Sequence, residues 1–345
     1  MLAPAMDHQA WIVPLRLRHP FGLSRGTASE LPTVLLRLGG GLGEAAPVRY
    51  LGHVAPALKA RLGSICAALD EADLLDMSRQ LAPDTAPGPV RAALDIARWD
   101  ARARAASRRL QAQLDHDHPP LPGPGATQTS YTIALDDLDA MAAHAAEAAH
   151  LPLLKIKLGK DPDFDRLALR RIAATAPHAR LRVDANGGWS FDQALQLLPE
   201  LADLGVEFVE QPLAHGNLDA LGELRRRSPL PIFADEDIQG PASLAALRGR
   251  IDGINIKLMK CGGISPALTM IAAARQEGWR VLLGCMIESR VGLAAATSLA
   301  GRVDELDLDA HMLTHDDPVP PGSQPLLSAA LPGLPGPGLG IPLEY

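Results

Sequence analysis

The sequence has few cysteines and no long apolar stretch. Its three cysteines, Cys66, Cys261 and Cys285, are scattered through 345 residues with no CxxC spacing. Such a sparse, odd count argues against a thiolate metal site and is typical of a protein in a reducing compartment. Because no run of about 18 apolar residues occurs, we expect no membrane-spanning helix.

Strong positive charge is also absent. The 33 Lys and Arg residues are outnumbered by 40 Asp and Glu residues, and the resulting net charge of −7 argues against a nucleic-acid partner. The first twenty residues lack a basic segment followed by an apolar one, so the sequence predicts no secretion signal and a cytoplasmic location. A homo-oligomer is compatible with this composition, but the sequence does not decide the oligomeric state.

The N-terminal third predicts a small mixed α+β domain. Its periodicities predict two strands followed by two amphipathic helices, at Trp11–Leu17, Thr33–Leu38, Val54–Leu69 and Val90–Leu110. An exposed, mobile loop is predicted between the strands over Pro20–Glu30, and its Arg25 is a candidate anion contact. The Pro- and Gly-rich run His116–Gln128 is predicted to hold no helix, so we place a domain boundary after residue 118.

A regular repeat follows this boundary. Eight apolar runs begin roughly every 25 residues, and Ala- and Leu-rich helical segments separate them. Such alternation implies parallel strands with right-handed crossovers. Eight units predict a (β/α)8 TIM-type barrel over residues 119–317. An open doubly wound sheet is the alternative, but it suits the eight regular units less well because no Gly-rich first turn is present.

Acidic residues end three successive strands of the predicted barrel. Asp184, Glu210 and Asp235 close the third, fourth and fifth strands, and the C-terminal strand ends form the active-site face of such barrels. Three carboxylates without Cys or His suit Mg²⁺ better than zinc. The sequence therefore predicts a magnesium site at this rim.

Lysines flank the predicted metal site. Lys155 and Lys157 share one face of the second strand, because residues two apart on a strand point the same way. Lys257 ends the sixth strand, which lies opposite the second in an eight-stranded barrel. A second ammonium, a metal and burial are all expected to lower the pKa of a lysine toward that of a useful base. Two opposed bases beside a divalent cation predict removal and return of a proton α to a carboxylate.

Six motifs together resemble the enolase superfamily, in order and in spacing: KIKLG, VDANGGW, VEQP, FADED, NIKLMKCGG and LGCMIES. The lysines on the second and sixth strands resemble the muconate-lactonizing-enzyme-like subgroup. Within that subgroup, the D-x-D pair Asp307 and Asp309 is similar to that of the dipeptide epimerases, where it holds the α-ammonium of the substrate.

The resemblance implies a role for each matched position. Asp184, Glu210 and Asp235 would bind Mg²⁺, and Lys157 and Lys257 would be the acid/base pair. The implied substrate contacts are Thr132, Lys155, Cys285, Asp307 and Asp309. Residues 1–118 would form the family's N-terminal α+β capping domain, onto which the tail, residues 318–345, would pack. Gly187 and Asp237 depart from the family pattern, in which Gln or Glu and Ser are common at these places.

The predicted function is that of a Mg²⁺-dependent dipeptide epimerase. It would transfer a proton at the α-carbon of the C-terminal residue, with L-Ala-D/L-Glu as the expected substrate if Arg25 meets the side-chain carboxylate. An N-acylamino acid racemase or an o-succinylbenzoate synthase-type lyase of the same superfamily is an alternative, although its substrate would leave the two aspartates poorly used. A non-catalytic carboxylate-binding protein is a further alternative, against which the lysine pair argues.

Overall fold

An antiparallel sheet of three strands begins the part of the chain that the computed structural model describes, which comprises residues 8–23, 26–68, 86–120, 125–315, 317 and 335–343. The strands are β1 (His8–Leu23), β2 (Gly26–Leu38) and β3 (Gly41–Ala45), in the order β1–β2–β3. The β1–β2 pairing extends to Leu23 and Gly26, beyond a register shift between Arg16 and Phe21.

The loop predicted over Pro20–Glu30 is therefore largely strand. Main-chain pairing between β1 and β2 continues over residues 21–23 and 26–28, and this pairing does not depend on the apolar alternation by which strands are recognised in a sequence. Arg25, the predicted anion contact, lies outside the described residues.

Among the described residues up to 120, three α-helices follow this sheet: α1 (Ala55–Cys66), α2 (Gly88–Ala105) and α3 (Leu110–Asp117). The prediction of one helix over Val90–Leu110 was wrong, because the chain adopts a left-handed conformation at Ser107, with φ 52°, and starts a new helix three residues later. The prediction that His116–Gln128 holds no helix was also wrong at its start. The first proline of that run is Pro119, so no ring prevents α3 from reaching Asp117.

The second helix lies on the sheet. Gly43 of β3 allows this close approach, because a Cβ added there would lie 1.9 Å from the carbonyl oxygen of Ala93 in α2. Apolar side chains of both layers, among them Leu36 and Leu94, form a core of their own. The sheet and its helices therefore make a compact α+β layer pair beside the rest of the molecule.

Eight strands alternate with helices in the remainder. The strands are β4 (Tyr131–Ile133), β5 (Leu153–Lys157), β6 (Arg180–Asp184), β7 (Val206–Glu210), β8 (Ile232–Ala234), β9 (Gly253–Lys257), β10 (Arg280–Gly284) and β11 (Glu305–Asp307). The helices are α4 (Leu138–Glu147), α5 (Pro162–Thr175), α6 (Phe191–Asp203), α7 (Leu218–Arg227), α8 (Leu244–Leu247), α9 (Leu258–Cys261), α10 (Ile264–Gln276), α11 (Arg290–Thr297) and α12 (Ala310–Leu313). Among the described residues, no helix is both long and apolar enough to cross a membrane.

The strands form one sheet that curls into a barrel. They are hydrogen-bonded in sequence order from β4 to β11, and every neighbouring pair is parallel. A parallel bridge between Thr129 and Leu306 joins the segment before β4 to β11 and brings the two edges together. The predicted (β/α)8 barrel is confirmed, and parallel alignment places the C-terminal ends of all eight strands at one rim.

The described part of the C-terminal tail lies against α2 and α3. Gly338 exchanges main-chain hydrogen bonds with the segment between these helices, and the Leu339 N–H donates to the Asp100 carboxylate at 2.7 Å. Gly338 also forms an isolated parallel bridge with Arg109.

Candidate active site

Three buried carboxylates meet at the C-terminal rim of the barrel. Asp184 ends β6, Glu210 ends β7 beside it, and Asp235 directly follows β8. One ligand oxygen from each lies within 4.8 Å of the others, and all three residues are at most 1% exposed. An all-oxygen, all-anionic donor set of this kind fits Mg²⁺.

The surroundings of each carboxylate fix its orientation. Asp184 accepts the main-chain N–H of Asn186 at 2.9 Å, and Glu210 accepts the Asn255 amide at 2.8 Å. Burial, followed by the charge of Asp184, raises the pKa of Glu210 to about 8. Burial alone would also raise the pKa of Asp184, but the ammonium groups of neighbouring lysines outweigh it and lower that pKa below its ordinary value.

The two predicted acid/base lysines stand on opposite sides of this cluster. The Lys157 ammonium donates to Asp184 Oδ2 at 2.6 Å from β5, and the Lys257 ammonium donates to Asp235 Oδ2 at 2.8 Å from β9. Both residues are 7% exposed, and their strands are four apart in the order of the barrel. A substrate carboxylate at the three acids would therefore present opposite faces of its α-carbon to the two lysines.

The acids around Lys257 dominate its pKa, and the lowering expected in the presence of a metal stays a prediction. Burial does lower the pKa of Lys257, but the attraction of Asp235, and then of Glu210 and Asp184, outweighs burial and leaves it above its ordinary value. Asp235 lies within hydrogen-bonding distance of the Lys257 ammonium. A cation held by the same carboxylates would oppose their effect on the ammonium.

Lys155 lies deeper than the other two lysines. Its ammonium is 3.0 Å from Asp184, 2.8 Å from Glu210 and 2.7 Å from Asp307, and the residue is 2% exposed. Burial lowers its pKa, but the three carboxylates reverse this effect and raise it well above the ordinary value. Lys155 therefore links two of the predicted metal ligands to the D-x-D pair, and its contact with substrate stays a prediction.

The other predicted substrate contacts gather around β11. Asp307 accepts Ser130 Oγ at 2.7 Å in addition to Lys155, whereas Asp309 accepts the main-chain N–H of Thr132 at 2.7 Å and has no ion pair among the described residues. Cys285 is half-buried, with Sγ 3.3 Å from the Asp307 carbonyl oxygen. The ammonium of Lys155 thus balances the charge of Asp307, whereas the charge of Asp309 is less compensated.

Two residues of this site, Lys260 and Ser130, were not predicted from the sequence. Lys260 is buried, and its ammonium contacts both the carboxylate and the carbonyl oxygen of Asp235. Asn255 orients Glu210, and Ser130 orients Asp307. The second lysine of NIKLMK was a usable signal, because a lysine in a buried four-residue helix requires an anionic partner.

One of the two departures from the family pattern has a backbone explanation. Gly187 adopts a left-handed conformation, with φ 71°, and a Cβ there would lie 3.1 Å from Ala214 Cα. Glycine suits this position because it carries no Cβ. The other departure, Asp237, is buried and lies two residues beyond the predicted ligand Asp235.

Comparison with known proteins places this site in a family. Residues 137–344 match the enolase C-terminal domain-like family model. A hydrophobic dipeptide epimerase from Flavobacteria bacterium (strain MS024-2A) is 34% identical over 96% of this chain and 97% of its own length. An L-Ala-D/L-Glu epimerase from Bacteroides thetaiotaomicron is 34% identical over 88% of this chain and 79% of its own length.

A solved structure gives the same result. The dipeptide epimerase of Enterococcus faecalis V583, complexed with Mg and the dipeptide L-Leu-L-Tyr, is 26% identical, covers 98% of this chain and 99% of its own, and superposes with a TM-score of 0.88. The resemblance inferred from the six motifs is confirmed. The chain belongs to the enolase superfamily, through its enolase C-terminal domain-like barrel.

Proposed function

We propose that this protein is a Mg²⁺-dependent dipeptide epimerase that inverts the α-carbon of the C-terminal residue. The observation that carries this proposal is the placement of Lys157 and Lys257 on opposite sides of three buried carboxylates. A protein that only binds a carboxylate needs no proton carrier on either face, whereas inversion at carbon needs one on each.

Different residues of the chain would bind the metal and transfer the protons. Asp184, Glu210 and Asp235 would hold Mg²⁺, which supplies positive charge for the electrons that gather on the substrate carboxylate when the α-proton leaves. One lysine, neutral at that moment, takes the α-proton, and the opposed lysine, charged, returns a proton to the other face. The two lysines exchange these states in the reverse reaction, so both diastereomers are substrates.

Recognition of a dipeptide rests on β11 and the turn after it. Asp309, buried and less compensated than Asp307, would accept the α-ammonium of the N-terminal residue, while Asp307 would act mainly through Lys155. Thr132 and Cys285 border the same region. A buried anion rejects a substrate that lacks a cation, because its own charge is then left unpaired.

We further propose that residues 1–118 form a capping domain over a catalytic barrel of residues 119–317, with residues 318–345 packing back onto the cap. The contacts of Gly338 and Leu339 with α2 and α3 support this division. The proposed partners are a small dipeptide and further copies of this chain in a homo-oligomer, and the sparse cysteines suit a cytoplasmic location.

The side chain of the second substrate residue determines which dipeptides the enzyme prefers. Relatives at the same 34% identity are named for hydrophobic dipeptides and for L-Ala-D/L-Glu. The test is a library of L-Ala-L-X dipeptides incubated with the enzyme and Mg²⁺ in D₂O, with deuterium uptake read by mass spectrometry.

We expect uptake of one deuteron at the second residue, greatest for X = Glu if Arg25 meets the side chain and greatest for apolar X if it does not. Uptake by N-acylamino acids in place of dipeptides would favour the racemase alternative. A library in which no member takes up deuterium would overturn the proposed function.

A further inference from the structure

Gln211, the residue after the predicted ligand Glu210, is bonded through every polar atom of its side chain. Its Oε1 accepts the main-chain N–H groups of Asp235 at 3.0 Å and of Asp237 at 3.3 Å. Its Nε2 donates to the Leu213 carbonyl at 2.9 Å and to Asp237 Oδ2 at 2.7 Å. Two accepted and two donated hydrogen bonds are the full capacity of a glutamine amide.

The main chain of Gln211 extends the same network. Its N–H donates to the Phe233 carbonyl at 2.8 Å, and its carbonyl accepts the Gly187 N–H at 2.7 Å. Gln211 adopts φ 38°, a left-handed conformation that favours glycine, although the residue is 1% exposed and not a glycine. Gln211 itself follows β7, and it bonds to the segments that follow β6 and β8. One predicted metal ligand lies at the C-terminal end of each of these three strands.

Asp237 closes the network on the far side. Its Oδ2 accepts Gln211, and its Oδ1 accepts both His215 Nδ1 at 2.7 Å and the Gly216 N–H at 2.8 Å. The serine usual at this place in the family is shorter and has a single oxygen with two lone pairs, so it could not accept all three donors. This departure therefore adds a buried anchor to the turn that carries Asp235.

We propose that Gln211 and Asp237, here called the Gln211–Asp237 clamp, are positioning residues that hold the Asp235 carboxylate in place for the divalent cation. Neither side chain is assigned a contact with the cation or substrate. The clamp acts by fixing the main chain at Asp235 and Asp237, as outer hydrogen bonds commonly fix metal ligands. This inference rests on the proposed metal site.

The experiment is calorimetric titration of the full-length protein with Mg²⁺. Asp237→Asn would turn one acceptor oxygen into a donor that faces other donors, and Gln211→Glu would place a carboxylate against Asp237 and a carbonyl. We expect the Kd for Mg²⁺ to rise about 10- to 100-fold in each variant. Because kcat depends on occupancy, excess Mg²⁺ should restore most of the kcat of Asp237→Asn.

Asp252→Asn is the matched control. Asp252 accepts the Ile232 N–H at 3.0 Å and pairs with Arg225, so it anchors the opposite end of the same strand, β8. We expect this variant to change the Kd for Mg²⁺ less than twofold, even if its melting temperature falls.

The outcomes separate the inference from the proposed function. A Kd unchanged within twofold in a folded Asp237→Asn would overturn the clamp, as would an equal rise in Asp252→Asn. If Gln211→Glu does not fold, Asp237→Asn alone decides. Asp235→Asn tests the site itself: if it binds Mg²⁺ as well as the wild type, the proposed metal site fails, and the clamp fails with it.

Discussion

Lys157 and Lys257 each hold a carboxylate from opposite sides of the barrel mouth. In the proposed mechanism, removing either ammonium leaves one face of the α-carbon without a proton carrier. Lys157→Ala and Lys257→Ala should each reduce epimerisation by about 10²- to 10⁴-fold, measured by polarimetry. Each variant is expected to retain exchange of the α-proton of one diastereomer, through the lysine that remains.

Lys160→Ala is the control for these variants. Lys160 is three residues from Lys157 in the sequence, but it is exposed and its ammonium lies over the ring of Phe164. It should keep the wild-type rate. Epimerisation at the wild-type rate by either Lys157→Ala or Lys257→Ala would show that the acid/base assignment is wrong.

The surroundings of Asp309 predict that substrate binding depends on pH. Burial, and then the charge of Asp307, raises the pKa of Asp309 to about 7, so the carboxylate loses its charge as the pH falls from 8 to 6. The KM for a free dipeptide should therefore rise over this range, measured by initial rates at saturating Mg²⁺.

Asp309→Asn should have a high KM that no longer varies in this way, and N-acetylated dipeptides should be very poor substrates of the wild type. Equal turnover of free and N-acetylated dipeptides would argue against an ammonium site at Asp309.

The principal site residues could be predicted because they lie at strand ends. The spacing of Lys155 and Lys157 and the acids that close three successive strands depend on local periodicity alone. Lys260 and Gln211 could not be placed in this way, because their importance comes from contacts with the Asp235 segment across the rim. The effect of Asp235 on the pKa of Lys257 was missed for the same reason.

At the scale of elements, a buried acid joins β3 to the start of α11. The Glu44 carboxylate accepts the Thr33 hydroxyl at 2.7 Å, the Ser289 N–H at 2.8 Å and its hydroxyl at 2.5 Å, and the Gly292 N–H at 2.8 Å. Glu288 lies beside it, 1% exposed. Two buried acids so close favour a protonated Glu288, since both cannot ionise without repulsion.

This junction predicts a stability change with pH. Burial, and then Glu44, raises the pKa of Glu288 from 4.5 to about 8. A group with a raised folded pKa contributes stability that is full below the unfolded pKa and is lost as the pH rises to the folded one. The amide introduced by Glu288→Gln cannot ionise, so the variant escapes this loss. Relative to the wild type, its free energy of unfolding should rise by on the order of 3 kcal/mol between pH 5 and 8.

Urea unfolding at each pH measures this difference. Glu277→Gln, which removes a partly exposed acid paired with Arg248, should show a difference from wild type that is nearly constant with pH. A constant difference for Glu288→Gln as well would contradict a protonated Glu288.

The barrel strands were predictable as elements, and the helix ends were not. Each strand coincides with a short apolar run, so its position depends on its own residues. The break between α2 and α3 is instead stabilised by the tail, because the Leu110 N–H donates to the Gly338 carbonyl at 2.8 Å. A contact between residues so far apart in the chain leaves no periodic signal.

At the scale of the whole molecule, the ends of three strands bring together the carboxylates of the proposed Mg²⁺ site. Full removal of Mg²⁺ with EDTA should abolish activity, and added Mg²⁺ should restore it and raise the melting temperature by mass action. Glu210→Gln should weaken Mg²⁺ binding and lose most of the activity. Full turnover after thorough chelation would show that the metal is not needed.

The central claim is that this protein inverts the α-carbon of the second residue of a dipeptide by removing its proton and returning one from solvent. The most direct measurement follows L-Ala-L-Glu and an apolar L-Ala-L-X dipeptide with the enzyme and Mg²⁺ in D₂O by ¹H NMR. We expect the α-proton signal of the second residue to disappear while the L,D diastereomer appears and the N-terminal alanine keeps its α-proton. Retention of the α-proton of the second residue in both dipeptides, with no new diastereomer, would contradict the account.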